Sequence, residues 1–123
     1  MTRLIVAAPH RSEYPNPITF EAGTHLTVGE RFEGDPGWKD WFLCSATGQE
    51  AGWVPLQVLE FIRKDAAVAL ESYTARELEV DVGEVLESSR VLNGWAWCVR
   101  VSDNASGWVP LNKIRTLEPD SAT

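Results

Sequence analysis

Positive charge is scarce in this chain, cysteine is scarcer, and long apolar runs are missing. Lys and Arg total 11 against 18 Asp and Glu, a formal charge of −7, so the protein repels a polyanion whose phosphates would need neutralising. Nucleic acid is therefore not an expected partner. No stretch reaches the roughly 18 apolar residues of a membrane span. The N-terminal run Leu4-Ile5-Val6-Ala7-Ala8 stops at Pro9-His10-Arg11, too short for a secretory h-region. The expectation is a cytoplasmic protein with no membrane partner. The cysteines are Cys44 and Cys98 and the histidines His10 and His25, which form no short-spaced ligand set for a metal. Neither histidine accompanies a nucleophile elbow or a Gly-rich phosphate loop. The reading assigns no catalytic residue, no metal and no cofactor.

Tryptophan, by contrast, is plentiful: Trp38, Trp41 and Trp53 lie in the first half and Trp95, Trp97 and Trp108 in the second. That even division announces a repeat. Gly52-Trp53-Val54-Pro55-Leu56 returns 55 residues later as Gly107-Trp108-Val109-Pro110-Leu111. Trp41-Phe42-Leu43-Cys44 aligns with Trp95-Ala96-Trp97-Cys98 at a spacing of 54, and Phe20 to Leu26 aligns with Val80 to Leu86 at 60. Self-similarity of this kind decides architecture ahead of local propensity. The offsets drift, which places the insertions between strands. Two copies of one module follow, residues 3–62 and 66–117, with a disordered tail over 118–123.

Strand signals dominate each copy. Leu26, Val28 and Glu30 alternate with Thr27 and Gly29, no segment keeps a helical period, and glycines and prolines punctuate the chain every eight to twelve residues, as in all-β folds. Arg63-Lys64-Asp65 reads as the only linker. It is too short for a flexible tether, so the two modules are expected to touch. A single helical turn is expected after each Gly-Trp-Val-Pro.

The residues Ala69-Leu70-Glu71-Ser72-Tyr73, Glu77-Leu78-Glu79-Val80, Gly83-Glu84-Val85-Leu86, Gly94-Trp95 and Gly107 to Ile114 resemble an SH3 domain from end to end. The first copy is similar through Ile18-Thr19-Phe20, Ala22-Gly23, Leu26-Thr27-Val28, Trp41 and Gly52-Trp53-Val54-Pro55. The chain thus resembles a tandem of SH3-like domains of the variant or bacterial kind. The resemblance implies an all-β fold of two consecutive five-stranded barrels packed together, with RT loops at residues 8–17 and 73–77. It also implies a peptide groove between the RT and n-Src loops. Glu71 stands where the family motif has its first tyrosine, and Lys113 and Val58 stand where it has its last.

Alternation along the strands points to such a groove independently. If Val54 and Val109 face the core, then Trp53 with Pro55, and Trp108 with Pro110, face outward; the preceding strand likewise turns Trp41 and Trp95 out. The candidate ligand-binding residues are Tyr73, Glu77, Glu79, Trp95, Trp108 and Pro110 in the second copy, and Trp41, Trp53 and Pro55 in the first. Acidic Glu71, Glu77, Glu79 and Asp81 beside the tryptophans select a basic or proline-containing segment of a protein or peptide. The expected function is a non-catalytic interaction module. The alternative uses the tryptophan faces as the contacts of a homo-oligomer or covers them at a domain interface.

Overall fold

Buried and exposed side chains alternate along the longer strands, and that alternation sets the architecture. In a computed structural model of the protein, residues 1–117 are described; the expected tail over 118–123 lies outside the described residues. The strands are β1 (Thr2–Val6), β2 (Thr19–Phe20), β3 (His25–Arg31), β4 (Trp41–Ser45), β5 (Gly52–Pro55), β6 (Leu59–Arg63), β7 (Ala66–Ala69), β8 (Tyr73–Thr74), β9 (Val85–Leu92), β10 (Trp95–Arg100), β11 (Ser106–Pro110) and β12 (Ile114–Thr116). The turn after each Gly-Trp-Val-Pro is a 3-10 turn, Leu56–Val58 and Leu111–Lys113. Apart from those two turns the described residues are all-β.

The described chain divides into two compact units. Unit 1 joins Met1–Glu13 to the segment that begins at Glu77; unit 2 is Tyr14–Arg76. Unit 1 is a sheet in the order β11-β10-β9-β1-β12, and unit 2 a sheet in the order β5-β4-β3-β7-β6 with the small β2-β8 pair. Neither sheet closes into a barrel. The end strands β5 and β6, like β11 and β12, are linked by a 3-10 turn and not by a hydrogen-bond ladder. In this respect the expected five-stranded barrels are corrected to open five-stranded sheets.

The units do not coincide with the contiguous segments 3–62 and 66–117, because the first strands of the two repeats have changed places. β1 opens the first repeat, yet it pairs with β9 and β12 of the second, Leu4 opposite Leu86 and Thr116. β7 opens the second repeat, yet it pairs with β3 and β6 of the first, Ala67 opposite Leu26 and Phe61. The cause lies in Arg63-Lys64-Asp65. This segment is not a linker: Arg63 ends β6, and Lys64-Asp65 is the two-residue turn of the β6-β7 hairpin. A turn this short closes at little entropic cost and folds β7 back onto β6. β7 therefore occupies the first-strand place in unit 2, and β1 takes the vacant place in unit 1.

Each sheet carries an apolar face. In unit 1 the core is Leu4, Val6, Leu78, Val80, Leu86, Ala96, Cys98 and Val109. Unit 2 buries Ile18, Phe20, Leu26, Val28, Cys44, Val54, Val58, Leu59, Ala67 and Ala69. The connection between β9 and β10 is the two-residue Asn93-Gly94, both at positive φ (47° and 88°), the backbone signature of a hairpin turn that matches strand twist. Unit 2 has a far longer excursion at the corresponding place, residues 32–40, between β3 and β4.

Candidate functional site

In unit 1 the segment leaving β1 runs beside the segment leading to β9. His10 and Val80 exchange backbone hydrogen bonds, 3.0 Å from His10 N to Val80 O and 3.1 Å in return. The N–H of Leu78 donates to Trp108 O at 3.0 Å, which lays the 77–80 segment along β11. Because of the strand exchange, His10 occupies in unit 1 the register position that Tyr73 holds in unit 2: His10 lies opposite Val80 and Tyr73 opposite Phe20. Its ring meets Trp95 edge-on, with centroids 5.5 Å apart, and its Nε2 lies 2.6 Å from Glu77 Oε1. Both side chains are only 12% exposed.

Three of the acidic side chains expected to recruit a basic ligand, Glu77, Glu79 and Asp81, are engaged within unit 1, whereas Glu71 belongs to unit 2. Glu77 is held by His10, and Glu79 Oε2 accepts from the backbone N–H of Ser12 at 3.2 Å. Asp81 pairs with Arg11, Glu84 with Arg100, and Glu87 with Arg3. Hydrogen bonding and the charge of Asp81 push the Arg11 guanidinium above its ordinary value. These carboxylates chiefly hold the long loops of unit 1 together.

The outward platform is smaller than strand alternation predicts. Trp95 and Trp97 are half-buried, but Trp108 is 6% exposed and Pro110 is buried. Trp108 does leave the core face. It is then covered by the Trp97 ring, edge-on at 5.4 Å, and by the 77–78 backbone alongside it. In unit 2, Trp41 and Pro55, paired across β4 and β5, are also buried. Alternation assigns a side chain to a face of the sheet; it does not say what lies over that face. Tyr73 belongs to unit 2, whereas Trp95, Trp108 and Pro110 belong to unit 1. Tyr73 is buried, its ring against Phe20 at 5.7 Å and its hydroxyl donating to Trp53 O at 2.9 Å.

Trp53 remains half-exposed and belongs to a cluster that sequence reading does not find. Phe32 meets Trp53 edge-on at 5.4 Å and Trp38 tilted at 6.2 Å, and all three rings are half-exposed. The long 32–40 excursion builds the cluster. Phe32 N–H donates to Trp41 O at 2.7 Å and closes its base, while Trp38 N–H donates to Asp35 O at 2.9 Å. A Cβ on Gly34 would come within 2.9 Å of the Phe32 ring, so glycine lets that ring fold back under its own loop. Exposed Glu30 and Glu33 flank the cluster in sequence and form no ion pair among the described residues. Asp35 Oδ1 accepts from Gly37 N–H at 2.8 Å, and Asp40 pairs with Arg31. The available signal was the excess loop length over Asn93-Gly94, with aromatic residues on both sides of Gly34-Asp35-Pro36-Gly37.

Cys44 and Cys98 occupy equivalent inward positions and are both free and buried. Burial pushes their thiols up, Cys44 to about 12 and Cys98 to about 11. At pH 7 roughly one in ten thousand or fewer of either group is thiolate. Iodoacetamide is therefore expected to leave both unmodified in the native protein and to modify both once denaturant exposes them; alkylation at equal rates in the two states would contradict this burial. Among the described residues no group of His, Cys, Asp and Glu is arranged to hold a metal ion, and no helix is long and apolar enough to cross a membrane.

No curated protein and no solved structure matched the chain. A family model did: residues 5–62 match the variant SH3 domain. The match follows chain order, from within β1 to within β6, and so spans a strand that the fold places in unit 1. SH3 domains are generally non-catalytic protein-interaction modules, and over residues 5–62 the chain is similar to that family.

Proposed function

We propose that this protein is a tandem SH3-like interaction module that binds a segment of another protein, and that its principal contact is the Phe32, Trp38 and Trp53 face of unit 2. The observation that carries the reading is a cluster of three half-exposed rings whose sequence neighbours Glu30 and Glu33 are exposed and form no ion pair among the described residues. Aromatic faces and unpaired carboxylates together favour a segment with cationic and apolar residues. A guanidinium or ammonium over such a ring contributes about 0.5–2 kcal/mol. In unit 1 Trp95 offers a smaller contact, because Glu77 and Glu79 already serve His10 and Ser12. A single short segment binds such a face weakly, on the order of micromolar or worse, since association must first offset lost freedom of motion.

The test is titration of the full chain with a synthetic peptide of alternating arginine and proline, followed by backbone amide shifts. Shifts are expected in residues 30–40 and around Trp53. Trp38→Ala should weaken binding at least tenfold without disturbing the amide signals of β3 to β7, because the side chain lies on an exposed loop. Undiminished binding by Trp38→Ala, or shifts confined to unit 1, would overturn the assignment.

A further inference from the structure

The sheet of unit 2 ends on β6, which among the described residues pairs with β7 and with no other strand. After Leu59 every residue of β6 is exposed, Phe61 at 40% and Ile62 at 57%. Adjacent exposed apolar side chains on a sheet edge are a template for pairing with another chain. The register against β7 gives this edge a particular charge pattern. Glu60 lies opposite Val68, Phe61 opposite Ala67 and Arg63 opposite Ala66, so Ile62 is the extra residue of a β-bulge. Val68 and Ala66 are two residues apart and share a face. The bulge therefore turns Glu60 and Arg63 to one face, where unbroken alternation would set them on opposite faces. The Glu60 carboxylate forms no ion pair among the described residues. Arg63 meets Asp65 through Nε at 3.1 Å, with both side chains 72% exposed, a pairing of little energetic worth.

We infer that β6 is the contact between two copies of this chain, its strands antiparallel and edge to edge about a two-fold axis between Phe61 and Ile62. Residues directly opposite one another in an antiparallel pair share a face, and the bulge meets that condition. Glu60 faces Arg63 of the second copy, Arg63 faces Glu60 of the second copy, and Phe61 lies beside Ile62 of the second copy on both sides of the axis. One patch thus serves both copies, as a closed two-fold contact requires. The corresponding edge of unit 1 does not complement itself. β12 has three residues and an unbroken register with β1; two such strands centred on exposed Arg115 would set like charges against each other. The β6 edge also shares no residue with the Phe32, Trp38 and Trp53 face. Phe61 meets Phe42, which lies opposite Val54 on the core side of β4 and β5, whereas Trp53 lies opposite Leu43 on the other side. Neither surface depends on the other.

Sedimentation velocity of the full chain tests the contact. Between about 5 μM and about 1 mM the mass is expected to rise from that of one chain toward that of two, with a dissociation constant on the order of 100 μM for so small a contact. Glu60→Arg and Arg63→Glu each set like charges opposite one another and should weaken the dimer at least fivefold. The double variant Glu60→Arg with Arg63→Glu restores both pairs in reversed sense and should return the dissociation constant to within about twofold of the original. Ile62→Lys, at an exposed position, should abolish the dimer and leave the amide spectrum of β3 to β5 unchanged. A chain that stays monomeric at 1 mM, single variants that dimerise undiminished, or a double variant no better than the singles would overturn the inference. So would a dimer that Trp38→Ala dissolves and Ile62→Lys does not, which would move the contact to the ring face.

Discussion

A fragment of residues 14–76 is expected to fold alone, whereas fragments 1–63 and 64–123, cut at the boundary between the sequence repeats, are not. Unit 2 is contiguous and keeps all of its strands in the shorter fragment, including β7 between β3 and β6. Cutting after Arg63 removes β7, and β6 loses its one sheet partner. β1 would be present in fragment 1–63, but it would bring Leu4 and Val6 to places that Ala67 and Ala69 fill, against Leu26 and Phe61. Overpacking of this kind costs about 1–3 kcal/mol. Domains of this size have only about 5 kcal/mol of stability to lose. The complementary fragment must accept alanines where leucine and valine belong, at about 2–5 kcal/mol for the leucine position alone. Amide spectra and thermal melts of the three fragments test this directly. If fragment 1–63 is as well dispersed as fragment 14–76 and melts at the same temperature, the exchanged strands are not what stabilises the fold.

What the sequence carries and what it conceals divide along physical lines. The strands, the repeat and the 3-10 turns after each Gly-Trp-Val-Pro are local features, set by alternation and by turn residues, and they are legible. The strand exchange is not local. Leu4-Ile5-Val6 and Ala67-Val68-Ala69 are each compatible with a first strand of either copy, and only the shortness of Arg63-Lys64-Asp65, readable either as a stiff linker or as a hairpin turn, hints at the answer. The candidate site suffers the same ambiguity. Trp53 and Trp95 keep partly exposed rings, but Trp41, Trp108, Pro55 and Pro110 are covered, because a residue turned away from one core is still free to be buried by a loop. His10 escapes a sequence reading because its structural counterpart, Tyr73, lies in the other repeat at a place the chain order does not align with it. Phe32 and Trp38 escape because their loop has no counterpart in the second copy.

The exchange makes a second and sharper prediction, which concerns where damage appears and not only how large it is. Leu4→Ala combined with Val6→Ala should unfold unit 1 and spare unit 2. Both side chains lie in the unit 1 core with Leu78, Val80, Leu86 and Val109. The substitutions leave cavities whose combined cost is about 4 kcal/mol or more, below strict additivity since the two sites share neighbours. Ala67→Leu combined with Ala69→Val should do the reverse. Ala67 and Ala69 are 1% and 3% exposed, so larger side chains there must displace Leu26, Leu59 or Phe61, which lie opposite them on β3 and β6. Amide signals assigned to each unit read the two outcomes independently in one spectrum of the full chain. In a protein whose repeats folded in chain order the pattern would invert: truncating Leu4 and Val6 would collapse the signals of Leu26, Val54 and Val58 to unfolded positions and leave those of Leu86, Cys98 and Val109 in place. Observing that inverted pattern would exclude the exchange, because a side chain can leave a cavity only in the core that it fills.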